Sequence, residues 1–203
     1  MKNILNAVKT NAADVITITG MILAGWANYL AFFDLERRIW LILCLVSGAG
    51  LTDWIDGWIA RKFGTQSQAG AFLDRLRDKI LICPFLILIL QQPLKFPESL
   101  TPSLLNILIY FMLGAELILI VGAAIGIIKG LNVASSKYGK QKMFGEFFVV
   151  AIWMSTWWLQ KHTTNGLVYL PAYLVVLLLF PTVIWGYQSI GGYLERYLKK
   201  SQE

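Results

Sequence analysis

Four aspartates in two short segments are the side chains of this sequence best suited to do chemistry. The segments read DWIDGWIAR and GAFLDRLRD, and they supply Asp53, Asp56, Asp74 and Asp78. Within each segment the aspartates are three or four positions apart, so on a helix each pair occupies one face. Unpaired carboxylates in apolar surroundings cost several kcal/mol each, whereas bound divalent cations would cancel their charge.

The donor set indicates which cations these would be. The ligands are all oxygens, with no thiolate or imidazole in either segment, which favours Mg²⁺ or Mn²⁺. Two such ions about 3.5–4 Å apart stabilise the attacking and leaving oxygens of phosphoryl-type displacements. We therefore predict a site for two Mg²⁺ or Mn²⁺ ions. The alternative is that the aspartates extend their charged ends into water or pair with Arg61, Arg75 and Arg77.

Small residues accompany the carboxylates. Gly57 and Ala60 follow Asp56, and Gly70 lies one turn before Asp74. Such residues leave room for a flat or phosphorylated ligand against the backbone. Close packing of helices against each other would explain the same residues.

The composition indicates what positions these residues. The chain is 57% hydrophobic and only 15% charged, with a mean hydropathy of +0.60, which is typical of an integral membrane protein. We predict a single all-α membrane domain over 1–203, with six transmembrane helices after an amphipathic surface helix at 1–14. The predicted spans are 15–33, 39–60, 68–92, 103–128, 143–160 and 168–190.

The basic residues predict the orientation of these spans. Of the 18 Lys and Arg residues, only Arg37, Arg38, Lys95 and Lys161 fall on the side opposite the termini. By the positive-inside rule, both termini and the aspartates lie on the cytoplasmic side of a multi-pass cell (inner) membrane. The net charge of +6 suits anionic lipid headgroups and phosphorylated substrates. Nucleic acid is not predicted as a partner, because the basic residues are juxtamembrane and the sequence shows no nucleic-acid-binding module.

The complete pattern D-x2-D-G-x2-A-R-x8-G-x3-D-x3-D resembles the signature of the CDP-alcohol phosphatidyltransferases. The fixed positions are matched by Asp53, Asp56, Gly57, Ala60, Arg61, Gly70, Asp74 and Asp78. The resemblance implies metal-dependent transfer of a phosphatidyl group from CDP-diacylglycerol to an acceptor hydroxyl, with release of CMP. It also implies six spans, cytoplasmic termini and a homodimer.

The resemblance further implies a role for each motif residue. Asp53 and Asp74 would bridge both ions, Asp56 would hold the first ion, and Asp78 would contact the second and act as general base. The implied CDP-lipid site consists of Gly57, Ala60, Arg61, Ser67, Gly70 and Thr17.

The segment NVASSKYGKQKM is the candidate acceptor-binding loop. Lysines act as point-charge phosphate ligands, so Lys137, Lys140 and Lys142, with Ser135, are predicted to bind a phosphorylated acceptor. The alternative is an ordinary basic loop on the cytoplasmic side. The string A-S-x-x-G-K-x-K and the Asp78–Lys79 pair resemble the phosphatidylglycerophosphate synthase branch, which implies glycerol 3-phosphate as acceptor.

Two positions depart from that branch and keep other acceptors open. Ala115 precedes Glu116 where the branch carries an arginine, and Gly20 ends DVITITG where its first span also carries one. Phosphatidylglycerol, inositol phosphate or an amino alcohol are the alternatives. An ion-binding transporter is the alternative of another class, although the carboxylates gather at one membrane face and no pair of broken helices recurs in two halves.

Overall fold

The structure is a computed structural model that describes residues 2–63, 68–98, 100–130, 136–163 and 168–200. Within these ranges it describes the side chains of 15–52, 55, 72–98, 100–130, 136–163 and 168–198. The described part forms five helices and no strand: α1 (Lys2–Phe63), α2 (Gln68–Gln91), α3 (Leu100–Ile128), α4 (Lys137–His162) and α5 (Tyr169–Lys200). The chain divides into two compact units, Met1–Leu81 and Ile82–Glu203.

In the first unit, α1 is interrupted by a kink near its middle. The backbone leaves helical geometry at Asp34 (φ −148°, ψ 34°) and Arg38 (φ −117°, ψ 19°). Arg38 Nε donates to Asp34 Oδ2 at 2.7 Å across this kink. The kink lies where the sequence predicts a break between the first two apolar stretches.

The two halves of α1, 2–33 and 39–63, fold back on each other. Gly20 and Thr52 are 32 positions apart, which would separate them by about 48 Å on a straight helix. A Cβ atom on Gly20 would nevertheless lie 2.6 Å from Thr52 Oγ1, and one on Gly48 would lie 3.7 Å from Leu23 Cδ1. Both contacts are centred on the kink, so the halves pack antiparallel as a helical hairpin.

A proline in α2 explains a buried polar contact with this hairpin. Pro84 has no backbone N–H, so the carbonyl of Ile80 loses its usual i+4 partner in the helix. Asn28 in α1 donates from Nδ2 to that carbonyl at 2.5 Å. The Asn28 side chain therefore provides the hydrogen bond that the proline removes, at a position where only 8% of the residue is exposed.

In the second unit, α5 packs against both α3 and α4. Tyr187 on α5 donates to the carbonyl of Phe111 on α3, and Tyr173 donates to Glu98 just before α3, so α3 and α5 run parallel. Ser136 pairs with Ser189 and Gly145 contacts Thr182, so α4 runs antiparallel to α5. Successive helices of this unit thus reverse direction, as consecutive membrane crossings do.

The surface of the described residues is largely apolar. Phe33, Trp40, Leu117 and Ile128 are more than three-fifths exposed, whereas Arg77, Glu116, Lys142 and Glu146 are buried. Among the described residues, three stretches are long and apolar enough to cross a membrane: Val15–Thr52, Leu100–Ile128 and Tyr169–Leu198. This distribution suits a protein whose outer surface meets lipid rather than water.

Two helices extend beyond the predicted bounds. The helical backbone is continuous from Lys2 to the kink of α1, so no boundary separates the predicted surface helix at 1–14 from the first predicted span. The helix that contains the fifth predicted span, 143–160, begins at Lys137. Ser136 caps that early start by accepting a hydrogen bond from the Gly139 N–H at 3.1 Å.

Replacing Asn28 with leucine should destabilise the fold through the Ile80 carbonyl. The carbonyl would be left buried without a partner, which costs about 1–3 kcal/mol. We expect a lower midpoint in thermal unfolding of the detergent-solubilised protein. In a Pro84→Ala background the helix supplies its own N–H, so Asn28→Leu should there cost much less. Equal losses in both backgrounds would contradict this account.

Candidate active site

Asp74 and Asp78 lie one turn apart on α2, with Arg77 between them. Arg77 Nη2 donates to Asp74 Oδ1 at 2.6 Å in an i, i+3 ion pair. The side chain of Arg77 is only 2% exposed, while that of Asp74 is 43% exposed. The pair thus joins a cation inside the fold to a carboxylate that solvent or a ligand can reach.

The α1 hairpin packs against this stretch of α2 through a glycine. A Cβ atom on Gly20 would lie 3.0 Å from Arg77 Cδ, in addition to its close approach to Thr52 Oγ1. Thr52 Oγ1 donates to the carbonyl of Ala49 at 2.8 Å, which fixes its position. A residue larger than glycine at position 20 would therefore displace the arginine or the threonine. Thr17, the predicted CDP-lipid ligand, lies one turn before Gly20 and is half-buried.

The remaining motif residues are located by their backbone alone. Positions 53, 56, 57, 60 and 61 lie in the helical second half of α1, and position 70 lies in the first turn of α2. Their side chains, those of Asp53, Asp56, Gly57, Ala60, Arg61 and Gly70, lie outside the described set, and Ser67 lies outside the described residues altogether. The helical backbone keeps the i, i+3 and i+4 register that the sequence predicts for both segments.

The described residues are consistent in chemistry with the predicted metal ligands. Among the side chains that the structure describes, no group of three or more His, Cys, Asp and Glu residues is placed to hold a metal ion. Asp74 and Asp78 contribute carboxylate oxygens from one face of α2, and the other two motif carboxylates belong to the undescribed set. An all-oxygen set of this kind fits Mg²⁺ or Mn²⁺.

The second unit contains a buried ion cluster of its own. Lys142 Nζ contacts Glu116 Oε1 and lies 3.3 Å from Glu146 Oε2. The side chains of all three residues are at most 4% exposed. One ammonium group between two buried carboxylates neutralises charge that would otherwise carry an uncompensated desolvation cost inside the second unit.

The predicted acceptor-binding lysines differ in their exposure. Lys137 and Lys140 are exposed on the first turns of α4, as a phosphate ligand requires. Lys142 is instead buried in its ion pairs, so its charge is already balanced. Ser135 lies outside the described residues.

Sequence reasoning missed the contact between Gly20 and Arg77. The sequence shows Gly20 only as a departure from a family pattern and Arg77 only as one of three arginines near the aspartates. The i, i+3 spacing of Asp74 and Arg77 signals the ion pair. Nothing local in the sequence signals that position 20 meets position 77.

Most of the chain resembles one family of known proteins. Residues 10–185 match the family model described as CDP-alcohol phosphatidyltransferase. The chain therefore belongs to the CDP-alcohol phosphatidyltransferase family, as the motif predicts. No solved structure matches the chain.

Individual relatives match over stretches of different length. A CDP-diacylglycerol–glycerol-3-phosphate 3-phosphatidyltransferase from Haemophilus influenzae is 32% identical over 42% of this chain and 46% of its own length. An Aquifex aeolicus protein of the same name is 27% identical over 90% of this chain and 96% of its own. A rice protein named cardiolipin synthase (CMP-forming) is 45% identical over 23% of this chain and 14% of its own length. The chain thus spans less than half of the Haemophilus and rice relatives.

Gly20→Ala should destabilise the first unit, and Gly25→Ala provides a matched control. The added methyl group at position 20 meets Thr52 and Arg77, whereas nothing lies within 4 Å of a Cβ atom at position 25. Overpacking of this kind costs about 1–3 kcal/mol, while alanine in an open helical position is about 0.5–1 kcal/mol better than glycine. Thermal unfolding in detergent should show a loss for Gly20→Ala only. An unfolding midpoint of Gly20→Ala equal to that of wild type would show that Thr52 and Arg77 move aside without cost and would contradict this prediction.

Proposed function

We propose that this protein transfers the phosphatidyl group of CDP-diacylglycerol to glycerol 3-phosphate and releases CMP. The observation that carries the proposal is the full aspartate motif, with Asp74 and Asp78 on one face of α2, in a chain that matches the family model over 10–185. The names of the Haemophilus and Aquifex relatives support glycerol 3-phosphate as the acceptor.

The proposed reaction is a displacement at the lipid-side phosphorus of CDP-diacylglycerol. The acceptor hydroxyl oxygen forms a bond to that phosphorus, and the bond from the phosphorus to the CMP oxygen breaks. CMP leaves with the electron pair, and the hydroxyl proton passes to a carboxylate of Asp78. A carboxylate needs only hydrogen-bond reach to act as base.

Asp53, Asp56, Asp74 and Asp78 are proposed to hold two Mg²⁺ or Mn²⁺ ions. Bound there, the ions would supply charge stabilisation for the attacking and leaving oxygens. The protein itself orients the substrates. In the proposal, Gly57 and Gly70 let the CDP moiety approach the backbone, and Arg61, Ser67 and Thr17 contribute hydrogen bonds to it.

The membrane arrangement proposed for this function has six spans. The kinked α1 hairpin provides two crossings, since Val15–Thr52 is nearly twice the length that one crossing needs. The helices α2 to α5 provide four more. The excess of basic residues on the side of the termini supports a cytoplasmic active site in the cell membrane. The homodimer stays a proposal that rests on the family resemblance.

The acceptor phosphate is proposed to bind at the start of α4. Lys137 and Lys140 are exposed on its first turns, and the basic-residue pattern assigns them to the cytoplasmic side. Lys142 has a different role in this proposal, because its ammonium group neutralises Glu116 and Glu146.

Phosphatidylglycerol is the second candidate acceptor. The rice relative named cardiolipin synthase (CMP-forming) favours it. Gly20 and Ala115 depart from the glycerol 3-phosphate branch without selecting one of the other acceptors. A screen of acceptors with purified protein and CDP-diacylglycerol decides between the two. CMP release with phosphatidylglycerol, but none with glycerol 3-phosphate, would overturn the proposed acceptor and keep the reaction class.

Removal of divalent cations should abolish CMP release. Four carboxylates without a soft ligand select hard cations, so activity lost in EDTA should return with Mg²⁺ or Mn²⁺. The assay is CMP release from CDP-diacylglycerol in detergent micelles. Undiminished turnover in excess chelator would sink the proposed metal requirement.

Asp78→Asn should reduce turnover by about a hundredfold or more, because the amide keeps the shape of the side chain but cannot accept the proton. Asp34→Asn, at the exposed kink of α1, removes the same charge away from the motif and should keep near-wild-type activity. A rate for Asp78→Asn above about a tenth of wild type would remove Asp78 from the role of base.

Lys140→Ala and Lys142→Ala should differ in kind. A charged hydrogen bond contributes about 1.5–3 kcal/mol, so Lys140→Ala should raise the acceptor KM about tenfold and leave stability unchanged. Lys142→Ala leaves two buried carboxylates without their cation and should cost about 3–5 kcal/mol of stability. Acceptor titration and thermal unfolding of both variants provide the comparison. An unchanged KM for Lys140→Ala would show that this lysine does not bind the acceptor.

A further inference from the structure

We propose that Arg77 is a positioning residue that orients the carboxylate of Asp74 for metal binding. This inference rests on the proposed function, in which Asp74 bridges two divalent cations. Arg77 does not occupy a fixed position of the motif. The sequence indicates it only as one of three arginines that could pair with the aspartates. The structure gives it a defined partner and a defined place.

The contact between the two side chains has the geometry of an orienting bond. The guanidinium Nη2 donates to one named oxygen, Asp74 Oδ1, at 2.6 Å. The carboxylate as a whole remains 43% exposed. Arg77 therefore restrains the rotation of the carboxylate from its buried side while the exposed side stays accessible to a ligand.

The arginine is itself buried, as a residue that orients another side chain from inside the fold must be. Long cationic side chains near a membrane surface usually extend their charged end into water. The Arg77 side chain is instead 2% exposed. Its Cδ and Nη1 atoms would lie only 3.0 and 3.6 Å from a Cβ atom at Gly20. The absence of a side chain at position 20 thus leaves the space that the arginine side chain occupies.

Removal of Arg77 should change the metal affinity in opposite directions, depending on whether the arginine acts by its positive charge or by holding Asp74 in place. The inference is therefore testable. A guanidinium group that acted only through its charge would repel a divalent cation, so its removal would tighten metal binding. A guanidinium group that only competed with the metal for Asp74 would have the same effect. If the guanidinium group instead holds the ligand oxygen in place, its removal should weaken metal binding. Residues that hydrogen-bond to a metal ligand typically contribute ten- to a hundredfold in metal affinity.

The experiment measures Mn²⁺ binding to the purified full-length protein in detergent, without CDP-lipid. Free Mn²⁺ is counted by electron paramagnetic resonance, so the readout does not depend on turnover. We expect Arg77→Gln to weaken Mn²⁺ binding about ten- to a hundredfold. Arg38→Gln removes the same charge at the kink of α1, where Arg38 pairs with Asp34, and should not weaken binding. Equal or tighter binding by Arg77→Gln than by wild type would overturn the inference.

Two further variants separate this inference from the proposed function. If wild type binds Mn²⁺ no better than Asp74→Asn, the proposed metal role of Asp74 fails, whatever Arg77 does. If Asp74→Asn weakens binding, the double variant Asp74→Asn/Arg77→Gln should be no weaker than Asp74→Asn alone. A further loss in the double variant would show that Arg77 does not act through Asp74, and would overturn the inference.

A conservative variant covers the case in which Arg77→Gln does not fold. Arg77→Lys keeps the charge and most of the volume but lacks the planar fork that fixes a carboxylate. Size-exclusion chromatography and thermal unfolding identify the variants that are folded. A folded Arg77→Lys should bind Mn²⁺ more weakly than wild type. Binding at the wild-type level would show that a point charge suffices and would overturn the inference.

Discussion

The ion pair of Arg77 and Asp74 is the contact on which the organisation of the first unit depends. A charged group inside an apolar chain must be neutralised at close range, because the alternative is a desolvation penalty of several kcal/mol. Arg77 meets this requirement from within its own helix, one turn from its partner. Its packing against Gly20 then sets how closely the α1 hairpin approaches α2. The same contact therefore balances charge, sets the approach of two helices and, in the proposed site, restrains a motif carboxylate.

The second unit solves the same electrostatic problem with different residues. Lys142 is placed between Glu116 and Glu146, so the cation is shared by two helices rather than held within one. A glycine again stands at a tight helix contact, because a Cβ atom at Gly145 on α4 would clash with Thr182 on α5. A Cβ atom at Gly186 would lie 3.5 Å from Lys142 Cδ, which is an ordinary van der Waals distance. The buried cation of the second unit therefore does not need a glycine beside it, unlike Arg77 in the first unit.

Much of this could be predicted from the sequence because it depends on short-range patterns. The apolar stretches predicted an all-α chain, the break at 34–38, and the start of α2 at Gln68. The aspartate motif predicted the family. The contacts of Gly20 with Arg77 and of Lys142 with Glu116 could not be predicted, because each joins residues distant in the chain that only tertiary packing brings together. The lysine spacing at 137, 140 and 142 suggested one phosphate-binding group, whereas the helix that begins at Lys137 turns Lys142 towards two glutamates.

The hairpin of α1 has a consequence for how the protein is made. Its two halves contact each other without α2, so in the proposed six-span arrangement this segment would enter the bilayer as a pair of helices during synthesis. The following helix carries Asp74, Arg75, Arg77, Asp78 and Lys79 near its start, which would oppose insertion as separate charges. In that arrangement, pairing Arg77 with Asp74 inside the helix would lower this barrier before any tertiary contact forms. The α1 hairpin would then form first, and Arg77 of α2 would afterwards pack into the space beside Gly20.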